Sequence, residues 1–155
     1  MQPLYSAGMA QVSPPNGPPP ARGQGGLLRG AARLGWARAL ILNPVSRWVG
    51  YGFATVSGIV WGGILSRFRL RREGGMIVAP HLPTWAFGRG GTTIGGVYLT
   101  RDNVSADILE HEAIHKAQWK KYGLAFIPLY VEAGQSARTN RFEVEAGLKK
   151  GGYTK

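Results

Sequence analysis

The 155-residue sequence contains no cysteine. That absence removes a disulfide framework, a thiolate zinc site and a cysteine-held iron–sulfur cluster from consideration, so any metal must be held by His, Asp or Glu. Histidine is scarce too, with three in the chain: His81, His111 and His115. Acidic residues are missing from positions 1–72 and begin at Glu73, whereas the same positions hold nine arginines and no lysine. Most of the formal net charge of +11 therefore sits there, while 73–155 sets ten basic against eight acidic residues. Such a basic half is drawn to anionic surfaces. An anionic membrane surface, met through Arg-rich residues 22–72, is the expected partner. Nucleic acid is the weaker one, because a long apolar run interrupts the charge and no recognised nucleic-acid motif is present.

At this length one modest domain with appendages is expected. Residues 1–26 include "VSPPNGPPPARGQGG" and have few large apolar side chains to offset the entropy of ordering, so they read as a disordered Pro/Gly-rich tail. No apolar stretch of the secretory type follows the first methionine, so a cleaved secretory signal is not expected and a membrane-associated or cytoplasmic location is. Residues 27–72 form a basic amphipathic and apolar segment. Within it, "GLLRGAARLGWARALIL" (26–42) predicts a basic helix ended by Asn43-Pro44. Trp48 to Ser66 is free of charge and just long enough to span a bilayer, although it holds five glycines and has arginine on both flanks. A transmembrane span, an interfacial helix and a buried core element all fit that pattern.

Residues 73–155 read as the folded domain, of class α+β, with a small mixed or antiparallel sheet followed by three helices. Phe68 and Leu70 alternate with arginines, Glu73-Gly74-Gly75 turns, and Met76 to Val78 resumes, which predicts a β-hairpin. Thr92 to Thr100 reads as one further strand, with Gly95-Gly96 marking a bulge or close backbone approach. Ser105 is placed to N-cap a helix that runs to about Tyr122 and stops at Gly123. A second helix is expected from near Pro128, and a third from Asn140 to about Lys150, closed by Gly151-Gly152.

The first of these helices carries "HEAIH", His111 to His115. Residues four apart lie one above the other on a helix, so both imidazoles can reach one metal ion, with Glu112 beside them to accept a proton from water. The alternative is an ordinary charged helix, with the histidines packed on Ile108 and Trp119 and Glu112 paired with Lys116. A catalytic zinc site needs a third protein ligand. Glu145 is flanked at four residues by Arg141 and Lys149 and reads as solvated. Glu143 shares its face with Ala146 and Gly147, whose small side chains permit close approach, so it is the better ligand. It also stands three residues after Asn140, where a capping box would use it, and His81 is a further ligand candidate, although a lone loop histidine of this kind is more often simply solvent-exposed. Tyr98, Tyr122, Tyr130 and His81 are candidates for stabilising an oxyanion. Pro80, Pro83, Trp85 and Phe87 could wall a pocket or anchor the core.

His111, Glu112 and His115, followed by Glu143 with Ala146, resemble the gluzincin type of zincin, in which a third-ligand glutamate follows the H-E-x-x-H helix. The stretch from Arg89 to Tyr153 also resembles small bacterial proteins with zincin-like motifs. The resemblance implies that His111, His115 and Glu143 bind Zn2+ and that Glu112 is the general base. It further implies that the strand before the helix, Thr92 to Thr100, pairs with an extended peptide or protein substrate. Where such enzymes commonly carry Asp after this motif, the chain has Gly147, so a group that orients a ligand is expected to be missing. A zinc-dependent metallopeptidase is the leading expectation; the alternative is a non-catalytic zinc-stabilised module that binds a membrane or a protein.

Overall fold

The computed structural model describes residues 43–87 and 90–154. The expected tail and the basic helix over 26–42 lie outside them. Helix α1 (Pro44–Leu65) starts where proline costs nothing: Pro44 occupies the first turn, and Asn43 caps it by accepting from the Val45 amide at 2.8 Å. Its buried residues are Gly50, Ala54, Gly58, Gly62 and Gly63, small side chains mostly four apart on one face. This face lies so close to its neighbours that a Cβ at Gly58 would stand 2.9 Å from the Ile94 carbonyl oxygen, and one at Gly62 2.9 Å from the Ala79 Cβ. The helix is long and apolar enough to cross a membrane by length and composition, and 28% of its most apolar window is buried.

Strands β1 (Arg71–Glu73), β2 (Met76–Ala79), β3 (Gly91–Ile94) and β4 (Val97–Thr100) form one mixed sheet in the order β1-β2-β4-β3. β1 and β2 are antiparallel, β2 and β4 parallel, and β3 and β4 antiparallel. Alternation assigns the faces. Ala79, Val97 and Leu99 cluster with Ile59 and Leu65 of α1, whereas Val78 and Tyr98 cluster with Leu109 and Ile108 of the following helix. The sheet is thus covered on both faces, and β4, buried at every residue, is its centre.

Helix α2 (Ala106–Tyr122) is capped by Ser105 and stops at Gly123, as its sequence predicts. A 3₁₀ turn (Gly123–Ala125) leads into α3 (Phe126–Glu132), and α4 (Arg141–Ala146) completes the α+β fold.

Several boundaries differ from the sequence reading. Thr92 to Thr100 is not one strand but the hairpin β3–β4, because Gly95, at φ +59°, turns the chain where a Cβ would meet the Thr55 backbone. The first hairpin begins at Arg71 rather than Phe68, since Arg67 and Phe68 adopt positive φ after α1. α3 starts two residues before Pro128, which still lies in the first turn, where its missing N–H has no partner to lose. α4 ends at Ala146 instead of near Lys150, because Gly147 at φ +95° turns the chain back.

Candidate metal centre

His111 and His115 project from α2 toward Glu143 in the first turn of α4, and all three are buried. The two Nε2 atoms stand 3.1 Å apart, and Glu143 Oε2 lies 3.2 Å from His111 Nε2 and 3.6 Å from His115 Nε2. The structure therefore brings together the three predicted ligands, with one candidate ligand atom from each within 4.8 Å of the others.

The partners on the far side of each imidazole fix its tautomer. His111 Nδ1 faces the Gly147 carbonyl oxygen at 3.1 Å, and a carbonyl only accepts, so Nδ1 carries the hydrogen. His115 Nδ1 faces Gln118 Oε1 at 2.8 Å. The amide of Gln118 cannot be reversed, because its Nε2 donates to the Phe142 carbonyl at 3.1 Å and to Glu145 Oε2 at 3.0 Å, both acceptors. His115 Nδ1 is a donor too. In the neutral imidazoles both Nε2 atoms consequently turn lone pairs toward a carboxylate oxygen that accepts no hydrogen bond although it is buried. Three electron-pair donors at this spacing repel unless a cation lies among them, so the donor set fits a metal ion.

Without a metal, a proton must serve. Burial alone would lower the His115 pKa, but the Glu143 carboxylate, to which a proton on Nε2 would bond, the Glu112 charge and Gln118 outweigh it and raise the value. Burial would raise Glu143, yet His111, His115 and the Tyr130 hydroxyl, which donates to its Oε1, hold it well below the usual carboxylate range. Glu112 behaves differently. Its burial dominates and raises its pKa, against the opposing hydrogen bond from Thr93 Oγ1 to its Oε2 at 2.6 Å.

Glu112, His115 and Glu143 line a cleft of about 480 Å3. β3 and Phe87 contribute to its lining, as do Phe126, Ile127, Tyr130 and Val131 and, from the C-terminal segment, Tyr153. An aromatic cluster braces the site: Phe126 packs edge-on against Trp119, Tyr130 and Phe142, with ring centroids 5.1 to 5.7 Å apart.

Glu112 does not pair with Lys116, whose Nζ donates to the Gly75 carbonyl at 2.6 Å. Glu143 makes no capping box; Asn140 caps α4 alone, accepting from the Phe142 amide. His81 is exposed and pairs with Asp102 at 2.5 Å, outside the metal group. Tyr98 donates to the Asn103 carbonyl, and burial pushes its pKa up to about 12; Tyr122 packs on Phe126 and Phe142. Only Tyr130 of the oxyanion candidates lines the cleft. Glu145 is exposed and holds Gln118. The orienting group expected to be missing at Gly147 is present as that residue's own carbonyl.

Gln118, Thr93, Gly151 and Tyr153 escape the sequence reading. Gln118 follows His115 by three residues on the same helix face, a spacing that could have found it. Thr93 and Gly151 reach the site through tertiary packing; a Cβ on Gly151 would stand 2.6 Å from His111 Cε1. In comparisons with known proteins, no family model, no curated protein and no solved structure matches this chain.

Proposed function

We propose that the chain is a zinc-dependent hydrolase, a metallopeptidase of the gluzincin kind. The observation that carries this reading is the convergence of His111 Nε2, His115 Nε2 and Glu143 Oε2 beside Glu112, with His115, Glu143 and Glu112 lining an open cleft and His111 buried behind it. Two imidazoles and one carboxylate suit zinc better than calcium or magnesium. Bound there, zinc would supply a Lewis acid that polarises a substrate carbonyl and acidifies water.

The chain's own residues supply the rest. Glu112 accepts the proton of the attacking water and passes it to the leaving amine, and burial, by raising its pKa, makes it a stronger base than an exposed carboxylate. Thr93 fixes the direction of that carboxylate. β3 is an edge strand of the described sheet and lines the cleft, so an extended peptide can pair with it. Trp119 Nε1 already donates to the Thr93 carbonyl at 2.9 Å, and Thr92 turns its backbone groups to Leu99 of β4, which directs that pairing toward Gly91.

The test is peptide-library cleavage followed by mass spectrometry, comparing zinc-reconstituted protein with Glu112→Gln. The variant is expected to keep its zinc and lose activity by about 10²- to 10⁴-fold. Equal cleavage by both would remove Glu112 from the reaction. A second reading, favoured by the exposed apolar face of α1, is a non-catalytic zinc-stabilised module that binds a membrane or a protein. It predicts bound zinc with no cleavage by the unaltered chain.

A further inference from the structure

Every exposed residue of α1 is apolar: Pro44 and Val45 at its start, then Trp48, Val49, Phe53, Val56, Val60, Trp61 and Ile64. A helix face turned to water ordinarily carries polar side chains, so this one calls for an apolar covering. At the C-terminal end of the helix the apolar stripe runs into a second cup, of about 440 Å3, whose lining includes Ile64, Arg67, Arg69, His81 and Trp85. The only non-glycine residues with positive φ among those described are Arg67, Phe68 and His81, two of them in this cup and the third between its arginines. Backbone held in that region costs stability and concentrates where a site is shaped.

We propose that the outer face of α1 and the Arg67–Arg69–Trp85 cup together dock the chain on the anionic surface of a phospholipid bilayer, with α1 lying along the surface. The cup takes a lipid phosphate and the stripe enters the acyl boundary. Charge selects this occupant over a second copy of the chain. The arginines at the end of the stripe, Arg67, Arg69 and Arg72, are exposed and outnumber the one carboxylate beside the cup, Asp102, which pairs with His81, so a like surface would repel while anionic headgroups attract. Trp48, Trp61, Phe68 and Trp85 are exposed aromatic side chains of the kind that settle at headgroup depth.

Packing dictates the flat orientation. The inner face of α1 is closed by the sheet at Gly58 and Gly62, so a helix crossing the bilayer in this fold would carry β1, with Arg71, Arg72 and Glu73, into hydrocarbon. Lying in the interface, it buries one face only, as amphipathic anchors do. The inference does not depend on whether the metal centre is catalytic.

The test is co-sedimentation of the full chain with neutral phosphatidylcholine vesicles and with vesicles containing phosphatidylglycerol, over a salt series. Val56→Asp and the pair Arg67→Gln with Arg69→Gln are compared with the parent chain, and thermal unfolding checks that each variant is folded. Binding is expected only to the anionic vesicles, weakened by salt, abolished by Val56→Asp and reduced about thirty-fold by the arginine pair, from roughly fivefold per arginine near such a surface. Alkaline carbonate is expected to release the bound protein. Equal binding to both vesicles, free inorganic phosphate displacing no lipid-bound protein while the arginine pair binds normally, or retention after carbonate would each overturn the proposal. So would a dimer broken by Val56→Asp in a chain that ignores vesicles.

Discussion

Gln118 and the Gly147 carbonyl act on His115 and His111 in the same way, each taking the Nδ1 hydrogen and turning the Nε2 lone pair inward. Removing such an orienting partner typically costs about 10- to 100-fold in metal affinity. Gln118→Ala is expected to show that loss in a chelator-competition titration; Gln118→Glu keeps the acceptor for His115 but sets its second oxygen against the Phe142 carbonyl and the Glu145 carboxylate, so it should also destabilise the fold in urea denaturation. Gly151→Ala drives a Cβ into His111, and a cost of about 1–3 kcal/mol is expected in urea denaturation, together with weaker metal binding. The pH dependence reverses sign with metal. In the metal-free protein the raised His115 pKa contributes stability that is full below the unfolded histidine value and is lost as pH rises through the folded one. Metal needs the neutral imidazole, so the stabilisation conferred by added zinc should grow with pH over that same window. Thermal scans from pH 6 to 8 with and without zinc separate the two. "HEAIH" and Glu143 were legible because local spacing and small neighbours encode them. His81 is the exposed loop histidine that its position between prolines favoured, and a loop conformation at φ +58° and Asp102 hold it away from the other two.

Among the elements, α1 shows what a composition of glycine and apolar residues can mean. One face supplies closeness and the other supplies apolar surface, and a charge-free run alone does not reveal which neighbour each face meets. Gly58→Ala should destabilise the fold by about 1–3 kcal/mol in equilibrium unfolding, because the Ile94 carbonyl and the Val97 side chain leave no room. A cost near zero would mean that α1 shifts freely on the sheet. α2 was legible to the residue since Ser105 and Gly123 punctuate it with capping chemistry. The β3–β4 hairpin was not, although two glycines between apolar runs are a hairpin signal; read along one strand, the same pair resembles a bulge. The tightness of the turn comes from Thr55 of α1, a contact no local pattern carries.

At the scale of the molecule, the three residues that could hold a metal ion join α2 to α4, and the cleft opens between the edge strand β3 and α3. Such a bridge couples metal to folding, so free zinc at about 100 times its dissociation constant should add about 2.7 kcal/mol of stability, and a chelator should remove it. The α+β class followed from the order of strand and helix patterns. The cleft did not, because its walls come from segments that sequence separates widely, Phe87 and Tyr153 among them.

Elemental mass spectrometry of the purified, zinc-reconstituted chain, beside His115→Ala and Glu143→Ala, tests most directly whether His111, His115 and Glu143 hold one metal ion. One zinc per chain, lost in both variants, is the expected result. No uptake by the unaltered chain, or equal uptake by the two variants, would contradict it.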